Sequence, residues 1–152
     1  MKKTSLILIL STLICSCTPT PSIPIANASP VDSLSAHFAS VWNHQDSAGV
    51  RQLFGNTVLL TDDDMMVTTP GEISSKWIHP NIRVVHNFKT TKLQDWSSTD
   101  RAGYTGKFEF DAIVNDSVVA HPAGIYTINW LRNENNQWLI NTCIIYSQPL
   151  KR

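Results

Sequence analysis

Residues 102–114, with the sequence AGYTGKFEFDAIV, decide the fold of this chain. Apolar and polar side chains alternate along them, and an alternation with period two predicts a β-strand with one buried face. The apolar face is formed by Tyr104, Phe108, Phe110, Ala112 and Val114. The polar face is formed by Thr105, Lys107, Glu109 and Asp111. Asn115-Asp116-Ser117 then predicts a turn.

Further strands are predicted on both sides of this one, at residues 82–93, 118–132 and 137–147. Asp95 to Arg101 and residues 133–136 are the predicted turns between them. The last two strands carry apolar side chains on both faces, so both faces need to be covered. In residues 118–132, Tyr126, Ile128 and Trp130 oppose Ile125 and Leu131. In residues 137–147, Trp138, Ile140 and Ile144 oppose Leu139, Cys143 and Ile145. Helices cover one face of such a sheet, so we expect a second subunit to cover the other, giving a homodimer.

Helices are predicted before the strands. The first carries Leu34, Phe38, Val41 and Trp42 at helical spacing, beginning with Ser29 as N-cap and Pro30 in the first turn. A second, short helix begins at Asp46, carries Val50, Leu53 and Phe54, and ends at Gly55. A short strand at Thr57–Thr61 follows, and residues 71–79 are compatible with a third short helix containing Trp77. Helices followed by antiparallel strands predict an α+β fold.

The N-terminus predicts an export signal. Met1-Lys2-Lys3 is basic, and the apolar run that follows is too short to span a membrane. Ile14-Cys15-Ser16-Cys17 resembles a bacterial lipobox, with Cys17 as the lipidated residue. Conventional cleavage, giving a periplasmic or secreted protein, is the alternative. We therefore predict a signal peptide at 1–16, a Pro/Ser/Thr-rich tether at 17–29 and a domain at 30–148.

This organisation places the protein in the bacterial cell envelope, held in the membrane by its lipid. Thr18 supplies no acidic inner-membrane retention signal, which favours the outer membrane. With Cys15 removed and Cys17 lipidated, Cys143 has no disulfide partner and is expected to be a buried thiol. The 12 basic residues balance 12 acidic ones, so we do not expect nucleic-acid binding, which requires a clustered basic face.

Two segments resemble known domains. Phe38-Ala39-Ser40-Val41-Trp42-Asn43-His44-Gln45-Asp46, followed by Val58-Leu59-Leu60, resembles the opening of nuclear transport factor 2-like domains, closest to the SnoaL-like and ketosteroid-isomerase-like branches. Gly124 to Trp130 and Gln137 to Ile140 resemble the closing hairpin of the same domains. The resemblance implies a cone: N-terminal helices packed on a strongly curved antiparallel sheet with a central pocket, commonly as a dimer.

The resemblance makes Asp62 a candidate general base, because in the isomerase branch an acid at this position shuttles a proton. Desolvation at a pocket mouth would raise its pKa, as that chemistry needs. The branch's two enolate-stabilising donors fall at Phe38, which cannot donate, and near Ile128, with Thr127 and Asn129 beside it, so the isomerase set is not intact. His86 and Tyr126 are candidate helpers, His86 because it shares parity with Phe88. The alternative is that Asp62-Asp63-Asp64 is a solvated loop.

The pocket itself is expected to be aromatic. Trp42, Trp77, Tyr104 and His121 are the candidate lining residues, with core or dimer packing as the alternative for the tryptophans. No histidine pair has metal-ligand spacing, so neither a metal nor another cofactor is predicted.

Three functions follow from this sequence. The first is a tethered lipoprotein that binds a small apolar or aromatic molecule or serves as an accessory protein. The second is an isomerase, cyclase or dehydratase that uses Asp62. The third is a structural dimerisation module of an envelope complex. The fold alone does not separate them.

Overall fold

A computed structural model shows the fold and describes residues 31–148. The predicted signal peptide, the lipidation site Cys17, the tether and the N-cap at Ser29 lie outside the described residues. Within them, helices form the first part of the chain and a strongly curled sheet forms the rest, so the predicted α+β cone is confirmed.

Two helices open the described chain, α1 (Val31–Asn43) and α2 (Ser47–Gln52). The predicted apolar stripe of α1 faces the core, where Phe38, Val41 and Trp42 are buried. The predicted N-cap is confirmed, because the Asp46 carboxylate accepts a hydrogen bond from the Gly49 N–H at 2.8 Å.

The second helix ends earlier than the sequence predicts. Phe54 was expected in α2 but begins the first strand, β1 (Phe54–Asp62). The reason is a sheet contact, since the Leu53 carbonyl accepts the Ile140 N–H at 2.7 Å and commits the chain to the sheet.

The sheet has seven strands. After β1 come β2 (Met65–Val67), β3 (Val85–Ser97), β4 (Arg101–Val114), β5 (Ser117–Ala120), β6 (Ala123–Arg132) and β7 (Trp138–Ser147). Their order is β2-β1-β7-β6-β4-β3, with β5 paired to β4. The sheet is mixed rather than wholly antiparallel, because β1 runs parallel to β7.

The later strands also differ from the predicted ones. The strand β3 continues to Ser97, so the predicted turn at Asp95–Arg101 is confined to the residues between β3 and β4. The predicted strand 118–132 is two strands, interrupted at His121-Pro122, because proline has no N–H to donate to a ladder. The short β2 was not predicted.

Between β2 and β3 the chain forms three consecutive helical segments. They are α3 (Pro70–Glu72), a π-helix (Ile73–Ile78) and α4 (His79–Asn81). The His79 N–H donates to the Ser74 carbonyl five residues back, and Pro80 has no N–H with which to restore α-helical spacing. The third short helix predicted at residues 71–79 is therefore present as these three segments, and the π-helix places Trp77 in the core.

A bulge in β7 decides which side chains enter the core. Asn129 pairs with Thr142 but Trp130 pairs with Ile140, so Asn141 is an extra residue. Ile140 and Cys143 consequently share the buried face, whereas Ile144 is 45 % exposed. The predicted shared face of Ile140 and Ile144 is wrong for this reason.

Candidate functional site

A cavity lies in the concave face of the sheet, beneath α1 and the π-helix. Its volume is about 100 Å³, the same order as the 150 Å³ engineered cavity that admits benzene. Helical and strand residues both line it: Phe38, Trp42, Asp62, Trp77, Asn81, Val85, Phe88, Phe108, Phe110, Tyr126, Ile145 and Ser147. It is smaller than that cavity, so its volume limits an occupant to a small molecule or one end of a longer one.

Aromatic side chains form most of its wall. The rings of Phe38 and Tyr126 stack with centroids 6.2 Å apart, and Phe88 stacks on Phe108 at the same separation. Trp42 and Trp77 meet edge to face at 4.9 Å. These contacts pack the rings against one another around the cavity.

Asp62 is the charged residue of the lining, and it is held by the end of β1. Its Oδ2 accepts a hydrogen bond from the Trp77 indole N–H at 2.8 Å. Burial raises the pKa of this carboxyl above its usual range, the Trp77 hydrogen bond opposes that rise, and the neighbouring Asp63 charge adds to it. The site therefore contains a partly desolvated carboxylate with one donor.

The residues after Asp62 turn away from the cavity. Asp63 has a φ of 49°, and its Oδ1 accepts the Ser147 N–H at 2.9 Å. Asp63 and Asp64 are exposed, as the solvated-loop alternative expected, but Asp62 is half-buried and faces the cavity.

Tyr126 brings a hydroxyl to the same cavity. Its oxygen lies 3.2 Å from the Ser35 Oγ of α1, and either hydroxyl is able to donate. Burial raises the pKa of the Tyr126 phenol, so this group is neutral and is able to offer its proton to an acceptor. Asn81, whose amide donates to the Trp77 carbonyl at 2.9 Å, and Ser147 complete the polar lining.

The structure brings four of the predicted site residues together at the cavity: Asp62, Tyr126, Trp42 and Trp77. Tyr104 is buried, but it lies behind Tyr126 with ring centroids 5.5 Å apart and does not line the cavity. The position of Tyr104 is a packing position, because its strand carries it into the second layer of rings.

His86 and His121 also lie outside the cavity lining. The His86 Nε2 lies 2.9 Å from the Gln45 side-chain nitrogen and 3.1 Å from the Arg83 carbonyl. His121 has a 77 % exposed side chain, and its Nδ1 lies 2.8 Å from Asp111 Oδ1. Their expected places in the pocket are therefore corrected.

A bulge explains the error at His86. His86 pairs with Asp111 and Lys89 with Glu109, so β3 has one residue more than β4 between these pairs. Asn87 has a φ of 52°, and the Asn43 side chain accepts the Phe88 N–H at 2.7 Å and donates to the Phe88 carbonyl at 2.9 Å. The bulge turns Phe88 into the cavity. Because of the extra residue, His86 no longer points to the same face of β3 as Phe88.

Several lining residues were not among the predicted ones. Phe108 and Phe110 stood on the predicted buried face of β4, so the alternation already carried a signal for them. Phe88 stood on the predicted covered face of its strand. Asn81 and Ser147 had no comparable signal, because only the folded chain brings the ends of α4 and β7 to the cavity.

The two positions that the resemblance assigns to enolate-stabilising donors are occupied by Phe38 and Ile128. Phe38 lines the cavity, and Ile128 is fully buried away from it. Within residues 31–148 no group of three His, Cys, Asp or Glu side chains is arranged to hold a metal ion. No helix of that same part of the chain is long and apolar enough to cross a membrane.

Solved structures define the class of fold. A ketosteroid isomerase-like protein from Erwinia carotovora atroseptica superposes with a TM-score of 0.68 at 11 % identity, over 78 % of this chain and 95 % of that one. A nuclear transport factor 2-like protein of unknown function from Shewanella oneidensis gives 0.63 at 15 %, over 76 % and 94 %.

A Mycobacterium tuberculosis protein of unknown function gives a TM-score of 0.65 at 18 % identity, covering 79 % of this chain and 75 % of that one. No family model matches the chain, and no curated protein matches it either. The chain thus has the nuclear transport factor 2-like fold, with ketosteroid isomerase-like proteins among those of the same shape.

Proposed function

We propose that this protein binds a small apolar or aromatic molecule in the cavity of its cone. The observation that carries the proposal is a cavity of about 100 Å³ whose wall is mostly aromatic and whose polar groups are few. Such a composition is typical of small-molecule sites. The structural-module alternative required a cone filled by its own side chains, so the open cavity favours binding.

Binding is tested with benzyl alcohol, a single-ring probe, by titrating the full chain in a calorimeter. We expect saturable binding that the substitution Val85→Phe abolishes, because Val85 lines the cavity and a larger ring occupies it. Val119→Phe is the matched control, since Val119 is 62 % exposed. Circular dichroism verifies that both variants are folded. Equal binding by both variants would place the probe elsewhere and contradict the proposal.

The envelope location is also a proposal. The lipobox-like segment supports a lipid on Cys17, so the cavity would be presented at a membrane surface. Cys17→Ser should move the protein out of the membrane fraction of its bacterial host. Unchanged fractionation would contradict lipidation at Cys17.

A homodimer through the convex face of the sheet is the third part of the proposal. Four large apolar side chains on β6 and β7 are exposed there: Ile125, Leu131, Ile144 and Tyr146. Three of them are neighbours, because Ile125 pairs with Tyr146 and Thr127 with Ile144, whereas Leu131 lies further along β6 and pairs with Leu139. An apolar sheet face of this kind is stabilised by a second copy. Light scattering of the full chain should give a dimer that Ile144→Lys converts to monomer; a monomeric unsubstituted chain would contradict it.

An enzymatic role is the second candidate, and one observation favours it. Asp62 faces the cavity with a raised pKa, which suits a carboxylate that removes a proton next to a carbonyl, and the Tyr126 hydroxyl is a donor in the same cavity. The test is deuterium uptake at the α-carbons of cyclopentanone in D₂O. Uptake faster than buffer, lost in Asp62→Asn, supports it. Uptake at the buffer rate excludes it for this ketone class.

A further inference from the structure

Asp62 has no charge partner in the part of the chain that the structure describes. None of the ion pairs among residues 31–148 includes it, and no Lys, Arg or His is among the residues that line the cavity. The titratable groups near it carry no positive charge: they are Asp63, beside it in the chain, and the buried Cys143 thiol on the adjacent strand. Buried charges in proteins are ordinarily paired.

The hydrogen-bonding capacity of this carboxylate is also unfilled. An ionised carboxylate accepts about four hydrogen bonds, and Asp62 receives a single side-chain one, from Trp77 to Oδ2. No donor among residues 31–148 reaches Oδ1. The carboxylate therefore presents accepting atoms to the cavity, where water or an occupant is able to use them.

The rest of the wall suits a positive charge as well. Seven of the residues that line the cavity are aromatic, namely Phe38, Trp42, Trp77, Phe88, Phe108, Phe110 and Tyr126. The faces of such rings are electron-rich and attract cations, most strongly when water is excluded. Trp77 contributes twice, because its indole N–H holds the carboxylate while its ring lines the wall.

We propose that the occupant is a small organic cation, an ammonium group attached to an apolar or aromatic part, with its nitrogen against Asp62 and its apolar part among the phenylalanines. This inference rests on the proposed binding function and names its ligand class. An apolar occupant would remove the remaining water from Asp62 without replacing its hydrogen bonds, a neutral alcohol would donate a hydrogen bond but supply no charge, and an anion would be repelled. Only a cation supplies both the charge and the donors that the carboxylate lacks.

Benzylamine and benzyl alcohol are the matched probes, because they share the ring and the number of heavy atoms and differ in charge at neutral pH. Titration calorimetry of the full chain should show benzylamine binding at least tenfold more tightly than benzyl alcohol. In Asp62→Asn, which keeps the shape and an oxygen acceptor for Trp77, the preference should fall to about parity while benzyl alcohol still binds. Asp64→Asn, an exposed acid two residues on, should leave the preference intact.

The outcomes separate the two proposals. If benzyl alcohol binds as tightly as benzylamine in the unsubstituted chain, the cavity is a ligand site but the cation inference is wrong. If benzylamine is preferred equally by Asp62→Asn, the charge that selects it lies elsewhere and the inference is also wrong. If neither probe binds, the proposed binding function itself fails.

Discussion

Replacing Asp62 by asparagine should make the protein more stable at neutral pH. Taking a carboxylate out of water costs several kcal/mol, and a hydrogen bond to a charged acceptor such as the one from Trp77 returns about 1.5–3 kcal/mol. Asp62 is only half-buried, so solvent screening reduces the remaining penalty. We expect Asp62→Asn to gain about 1 kcal/mol at pH 7, or roughly 4 °C in Tm.

The stability gain from Asp62→Asn should increase as the pH rises. The pKa of Asp62 is raised in the folded protein above its ordinary value of 3.8, so the folded state holds this proton more tightly than the unfolded state does. The stability that Asp62 contributes is therefore complete below pH 3.8 and is lost as the pH rises through the folded-state pKa. The advantage of the asparagine variant grows over the same interval.

Urea unfolding of both proteins between pH 3.5 and pH 8 measures this difference. Asp64→Asn is the control, because Asp64 lies in the same loop but is exposed, and its substitution should change the unfolding free energy by less than about 0.5 kcal/mol. A variant less stable than the parent at pH 7, or a difference that stays constant with pH, would refute the reasoning.

Substitutions at three further positions test the Trp77 hydrogen bond, the cap of α2 and the packing of Trp96. Trp77→Phe removes the donor to Asp62 and should cost about 2 kcal/mol at pH 7 and less once Asp62 is protonated, as read from urea unfolding. Asp46→Ala removes the cap of α2 and should cost about 1 kcal/mol, whereas Asp46→Asn should cost much less, by the same measurement. Gly103→Val puts a side chain where the Trp96 indole lies across the sheet, so Trp96 should move into solvent and its emission shift to the red; unchanged emission from a folded variant would show that the indole does not lie there.

Local periodicity was enough to predict those parts of the fold that depend on it. The alternation in residues 102–114 follows the observed β4, with Tyr104 and Phe108 buried on one side and Lys107 and Glu109 exposed on the other. The cap at Asp46 was predictable because it is formed within three residues.

The errors occur where the position of a side chain depends on a distant partner. The bulge at Asn87 is held by Asn43, which lies at the end of α1 and far from β3 in the sequence. No pattern within β3 indicates it. The extra residue Asn141 likewise appears only in the register between β6 and β7. Each bulge reverses the parity beyond it, so His86 and Ile144 were placed on the wrong faces.

The candidate site was predictable to the same extent. Asp62 was found by resemblance to a family whose acid ends the first strand, and Tyr126 was proposed as its helper. The donor Trp77 reaches Asp62 only through the π-helix, whose spacing depends on Pro80 and on packing against β1. The wall formed by Phe88, Phe108 and Phe110 required the curled sheet.

Nuclear magnetic resonance of the indole N–H groups tests the central claim, that the cavity is a ligand site, most directly. The chain has five tryptophans: Trp42 and Trp77 line the cavity, and the other three, Trp96, Trp130 and Trp138, do not. During a benzylamine titration of the full chain, the signals of Trp42 and Trp77 should shift saturably while those three stay in place. An unmoved Trp77 signal at millimolar benzylamine, or equal shifts at all five, would contradict the account.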